Sequence, residues 1–255
     1  FLQKQLYKAE GFLYAKPTLS HDILKQDLHS INKLATVEQL RWLQTLLRAS
    51  VALNRLDDIE NTAKQMLAIP SLKQDTPKLV TLLSSLGIMF RRQGYLADSI
   101  DLFDCALELP IKDHNQIISL KLSKGISLRN QGITDKTIVL YQSALKDALS
   151  ANSLKFEGAI RNALGVLALN ENDLINAKKE LRKALTISQN TARRSGQTIA
   201  GLNLMLIAVL EEDELMYSRL HGPISTLTLA AKNQDRHVYL YWLEHAYSVQ
   251  RGEQL

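Results

Sequence analysis

The sequence predicts an all-α chain, a solenoid of about six stacked helix-turn-helix units. Three observations carry that expectation. Three segments repeat one pattern of small residues without gaps, apolar residues recur at helical spacing, and no stretch alternates long enough to read as a strand. Composition agrees with it. The 255 residues include 11 Gly, 5 Pro and 1 Cys, too few for a loop-rich β-protein, a disordered chain or a disulfide framework. The longest apolar run, around residues 204–210, is much too short to span a bilayer. The chain begins at Phe1 and not Met, which suggests an excised or processed fragment, with any signal or anchor lying upstream.

Taken in order, residues 1–35 read as a degenerate N-terminal helical hairpin broken at Lys16-Pro17, because proline opens a helix more readily than it continues one. Residues 36–75 form a degenerate unit with Asn54 at its turn, and Thr36 with Gln39 has the spacing of a capping box. Residues 76–113 open at Thr76-Pro77 and contain LGIMFRRQGYLADSIDLFDCAL from Leu86. Residues 114–152 contain KGISLRNQGITDKTIVLYQSAL from Lys124, and residues 153–192 contain LGVLALNENDLINAKKELRKAL from Leu164. The small residues line up as Gly87/Ser99/Ala106, Gly125/Thr137/Ala144 and Gly165/Ala177/Ala184, with starts 38 and 40 residues apart. Two helices approach closely only where such small side chains meet, and Phe90, Phe103, Tyr141 and Leu181 fill the remaining space. Gly94, Gly132 and Asn172-Asp173 stand where the chain must turn. Residues 193–234 are a further degenerate unit turning at Glu212-Asp213, and Gly222-Pro223 is expected to kink or split its second helix. In the two outer units the small positions become Leu47/Ile59/Met66 and Met205/Tyr217/Ile224, which predicts wider hairpins. Residues 235–255 supply a C-terminal capping helix to one continuous solenoid.

The chemistry-bearing residues point away from catalysis. A net charge of +5 is modest, and the pairs Arg91-Arg92, Lys178-Lys179 and Arg193-Arg194 are scattered, so no nucleic-acid stripe forms. His21 and His29, and likewise His237 and His245, lie eight apart, about 80° around a helix, whereas metal pairs on one helix prefer closer spacing. Cys105 has no basic cluster or histidine near it in sequence and reads as a structural thiol. Gly196 and Gly201 lack the Lys-Ser/Thr of a phosphate loop. The acidic run Glu211-Glu212-Asp213-Glu214 suits the start of a helix. No enzyme, cofactor or metal is expected.

The pattern LGxxxxxQGxxxxSIxxFxxAL resembles the tetratricopeptide repeat, a helical hairpin usually about 34 residues long. The resemblance covers residues 79–189 and departs from the family in period. The surplus lies between Ala106 and Gly125 and between Ala144 and Gly165, intervals of 19 and 21 residues. In that respect the chain resembles the long-period variants of bacterial signalling proteins. The resemblance implies a right-handed superhelix whose groove is lined by the first helix of each unit. Carried over by position, the groove candidates are Arg41, Gln44 and Arg48, then Thr81, Ser84 and Arg91, then Ser119 and Arg129, and finally Asn162. Ile88, Leu122, Ile126, Val166 and Leu169 lie between them, so the groove suits an acidic, amphipathic protein or peptide segment. The Lys/Asn clamp for a terminal carboxylate has no match. What the resemblance implies is a non-enzymatic binding or sensing module of a larger signal-transduction protein. A structural scaffold of an envelope complex, or a cytoplasmic peptide-responsive regulator, is the alternative. The periplasmic part of a membrane-anchored sensor is favoured as its location, and homo-oligomerisation is left open.

Overall fold

A computed structural model describes residues 1–231 and 233–252, and among these every regular element is a helix. The chain divides into two compact units, residues 1–133 and 134–255. The first holds α1 (Leu2–Phe12), α2 (Pro17–Gln26), α3 (Thr36–Ala52), α4 (Leu56–Leu67), α5 (Thr76–Arg92), α6 (Leu96–Leu107) and α7 (His114–Asn130). Short 3-10 turns follow α2 at Leu28–Lys33 and α4 at Pro70–Gln74. The second unit holds α8 (Thr134–Ser150), α9 (Leu154–Asn170), α10 (Leu174–Asn190), α11 (Arg194–Leu210), α12 (Glu214–Leu229) and α13 (Gln234–Gln250).

A single turn chemistry closes the hairpins. After α3, α5, α9 and α11 the chain passes through one left-handed residue, Asn54, Gly94, Asn172 and Glu212, with φ of 57°, 88°, 58° and 55°. The next residue's N–H then reaches back to a carbonyl in the helix's last turn, as from Tyr95 to Phe90 at 2.9 Å and Asp173 to Ala168 at 2.8 Å. These bonds satisfy carbonyls that the helix end leaves unpaired. Asp173 and Asp213 then cap α10 and α12, accepting from the Asn176 and Met216 N–H groups at 3.1 and 2.9 Å. As expected, α5 opens at Thr76-Pro77, and Asp75 caps it by accepting from Lys78 N–H. Two expectations need correction. Ala35, not Thr36, precedes the first turn of α3, and Gln39 donates to the Leu34 carbonyl at 2.8 Å, so no capping box forms. The helix α12 runs through Pro223 without splitting.

The first unit's largest core gathers around Trp42, fully buried, with Leu6, Leu24, Leu46, Met66 and Met89. The Trp42 indole N–H donates to the Leu24 carbonyl at 3.1 Å, so the ring is both packed and satisfied. Gly87 lies beneath the Phe103 ring, and a Cβ there would come within 2.9 Å of it. Beside it Ser99 donates to the Gly87 carbonyl at 2.7 Å and shares a 2.8 Å hydrogen bond with Ser127, joining α5, α6 and α7 through one buried hydroxyl pair. Gly125 is buried in the same unit. The second unit centres on α11, whose Leu202, Leu204, Met205, Ile207 and Ala208 are all buried. There Gly165 and Gly201 meet Leu181 and Ile224 at distances that leave no room for a Cβ. Thr137, Ala144, Ala177 and Ala184 are buried as well.

Candidate partner-binding face

In the first unit α1, α3, α5 and α7 stand side by side, and their shared face carries most of the groove candidates. Arg41 sets its guanidinium against Glu10 of α1 through two 2.6 Å hydrogen bonds and lies 4.8 Å from the Tyr7 ring centroid. Hydrogen bonding to Glu10, followed by Tyr7, outweighs the cost of burial and raises the Arg41 pKa above its ordinary value. Arg48 donates to the Tyr14 hydroxyl and lies 5.5 Å from that ring centroid. Gln44 donates to the Thr81 hydroxyl at 2.9 Å, and Ser84 donates to the Thr81 carbonyl at 3.0 Å. Arg91 reaches the Ser123 carbonyl of α7 at 3.1 Å. Arg129, half-buried, donates to Asn130 Oδ1 at 3.2 Å, and Ser119 is exposed. Ile88, Leu122 and Ile126 are half-buried between them.

The second unit holds the remaining candidate. Asn162 of α9 accepts from Asn203 of α11 at 3.3 Å, with Val166 and Leu169 half-buried on the same helix. The nine candidates are therefore split between units, eight in the first and one in the second. Within the first, five of them take part in polar bridges between neighbouring segments: Arg41 to α1, Arg48 to Tyr14 in the turn after α1, Gln44 to Thr81, and Arg91 to α7. Sequence reasoning missed Tyr7, Glu10 and Tyr14. Tyr7 and Glu10 are three apart on α1 and Tyr14 follows in the turn after it, a signal that was present but lay in a hairpin without the repeat's small residues.

The other polar clusters are structural in their contacts. His21 is buried, and its Nε2 lies 2.9 Å from Asp58 while Arg55 donates to Nδ1 at 2.9 Å. Burial pushes the Asp58 carboxyl up, but hydrogen bonds from Lys25 and His21 together hold it below the usual carboxylate range. Arg161 bridges Glu157 at 2.7 Å and Glu180 at 2.9 Å. Glu211 pairs with Lys178, and Glu214 pairs with Arg251 at 2.9 Å. Gly196 and Gly201 pack against Ser188 and Ile224. Cys105 is exposed, not a packed thiol, because the helix turns only its neighbour Ala106 inward. Among the described residues no three His, Cys, Asp or Glu side chains gather to hold a metal ion, and no helix is long and apolar enough to cross a membrane.

No protein-family model matches the chain, and no curated protein does. Solved structures do. PilW, a widely conserved type IV pilus biogenesis factor, is 15% identical, with 94% of this chain and 97% of that one aligned at a TM-score of 0.64. A tetratricopeptide-repeat protein of Thermus thermophilus, TTC0263, is 17% identical over 79% of this chain and 98% of that one, at 0.58. A signal-transduction ATPase of Pyrococcus horikoshii with a tetratricopeptide-repeat sensor is 14% identical, aligning 98% of this chain with 39% of its own at 0.64. Small residues at the hairpin crossings, left-handed turns and these likenesses agree, and the chain has the all-α helical-repeat fold of tetratricopeptide-repeat proteins.

Proposed function

We propose that this chain is a non-enzymatic protein-interaction module whose partner lies on the α3–α5–α7 face of the first unit. The carrying observation is the strip formed by Gln44, Thr81, Ser84, Arg91, Ser119 and Arg129, with half-buried Ile88, Leu122 and Ile126 set among them. Polar groups at the rim and apolar groups between them suit a protein segment that buries one face and hydrogen-bonds with the other. Arg41 pairs with Glu10 beside this strip, and Arg91 and Arg129 add positive charge to it. The finer reading is a sensing role in a larger signalling protein, in line with the long-period repeat pattern. A scaffold for an assembly is the other reading, and it differs in requiring a constitutive partner.

The test is capture of partners by the chain and by an Arg91→Glu/Arg129→Glu double variant, compared at low and physiological salt. Single exposed pairs contribute about 0–1 kcal/mol, so the charges are reversed together. Binding is expected to fall several-fold while helicity and melting temperature hold. The control reverses Lys179 and Lys183, both exposed on α10. Equal loss in that control places the partner elsewhere and overturns the assignment.

A further inference from the structure

Three arginines of the second unit gather at one place without a carboxylate. Arg193 immediately precedes α11, Arg194 opens it, and Arg236 in the first turn of α13 donates to the Ser195 hydroxyl at 3.3 Å. The Arg193 side chain starts along the same turn, its Cβ 3.9 Å from where a Cβ on Gly196 would stand. Its Nη1 is closed off from solvent and makes no hydrogen bond. Burial pulls the Arg236 pKa below its ordinary value, and no neighbouring charge pushes it back. Arg194 is exposed, and among the described residues none of the three forms an ion pair. Asp235, beside Arg236 in sequence, is exposed and pairs with none of them. Elsewhere in this unit Arg161 faces Glu157 and Glu180, Lys178 faces Glu211, and Arg251 faces Glu214. Like charges held close together repel, and the positive end of α11 adds to that repulsion. An anion at this point would relieve all of it.

We propose that Arg193, Arg194 and Arg236 bind a phosphate group, carried by a phosphorylated side chain of a partner protein or by free phosphate. A guanidinium presents paired N–H donors that match two phosphate oxygens, so one dianion satisfies several arginines together. Arg236 and the Ser195 hydroxyl, already in contact, fix where the group sits. Arg194 has the length to fold over it from the first turn of α11. Arg193 reaches it by turning Nη1 outward, which exchanges a buried nitrogen without a partner for a charge-assisted hydrogen bond. A carboxylate, with two oxygens and a single charge, satisfies one arginine and leaves the others opposed. No phosphate-loop sequence is required, because side chains supply the donors here. The site lies in the second unit and does not rest on the α3–α5–α7 face.

Calorimetric titration at constant ionic strength tests this with sodium phosphate, a phosphoserine peptide and the same peptide unphosphorylated. Saturable binding is expected, with a Kd for phosphate of about 1 mM or tighter. Arg194→Gln with Arg236→Gln should weaken it about tenfold or more, since charge-assisted hydrogen bonds are lost. The same pair removes repulsion, so its melting temperature without phosphate should equal or exceed that of the wild-type chain. Added phosphate should raise the wild-type melting temperature and leave that of the variant in place. Should the pair unfold the chain, Arg194→Gln alone, at an exposed position, decides by the same titration. A phosphopeptide that binds more tightly than phosphate, its unphosphorylated twin silent, assigns the group to a protein segment. Equal affinity for the two assigns it to the free anion. Absence of saturable binding to both overturns the proposal, as does a twin that binds as well as the phosphopeptide. Equal weakening in the Lys179→Glu/Lys183→Glu chain overturns it too, because the attraction is then diffuse.

Discussion

In the first unit, α4 and α6 are 12 residues long and hand over to the next helix through residues 68–75 and 108–113. In the second unit, α8 and α10 are 17 residues long and hand over through residues 151–153 and 191–193. Proline makes the difference on one side. Pro70 and Pro110 follow the short helices, and a proline N has no hydrogen to continue the helical ladder. On the other side, Asn152 and Ala192 take left-handed backbone, with φ of 48° and 51°, so the long helices stop within one residue. The spacing of the repeat is thus kept by exchanging helix for linker. What is held constant is the 17-residue first helix, shared by α3, α5, α7, α9, α11 and α13. A repeat of this kind specifies where helices cross and leaves the path between crossings free.

The comparison breaks hardest at the two cores. Trp42→Ala should cost about 3–5 kcal/mol, because it opens a cavity and orphans the Leu24 carbonyl bond. Chemical denaturation should show that loss in the transition of the first unit. In the second unit Gly165→Val should cost about 1–3 kcal/mol, since its Cβ would stand 2.6 Å from Leu181 Cγ. Ala144→Leu, at another fully buried crossing, should cost about as much by the same overpacking, read as a lowered melting temperature.

Acid should separate the units more gently. The Asp58 carboxyl is raised by burial but pulled further down by Lys25 and His21, so its folded pKa lies below its unfolded one. Such a group adds stability above the unfolded value of about 3.9, and that stability is lost as pH falls through the lower folded value. Asp58→Asn should therefore flatten the acid limb of the first unit's stability curve measured between about pH 5 and about pH 2. The smallest effects have opposite signs at two turns. Gly94→Ala puts a side chain at φ 88°, in open space but in strained backbone, and should cost about 1 kcal/mol. Ala192→Gly relieves a left-handed alanine and should raise stability by about 0.5–1 kcal/mol, detectable as a small rise in melting temperature.

The hairpins were legible because their determinants are local. Gly94, Asn172 and Asp173 each act within a few residues of where they stand, and the small residues at the crossings recur in register. Errors arose where a neighbour competed for the same role. Ala35 took the cap position that Thr36 suggested, and α12 continues through Pro223 with Ile224 and Thr228 buried in the core. The candidate face was harder to read. The partners of Arg41, Gln44 and Arg91 lie 31, 37 and 32 residues away in sequence, on adjacent helices, and no short-range pattern announces them. Position in the repeat locates a side chain on the face. It does not say whether a neighbouring helix has already engaged it.

The hydroxyl pair of Ser99 and Ser127 bears on how the first unit responds to sliding. Apolar faces tolerate a slip of one helix along another, because one greasy contact replaces the next. A buried hydroxyl does not, since moving it off the Gly87 carbonyl leaves polar atoms with neither water nor partner, at about 1–3 kcal/mol each. The pair therefore works as a detent, a single notch at which α5, α6 and α7 click into one alignment. Force applied along these helices should meet little resistance until that notch opens, and the unit should then give way in one step.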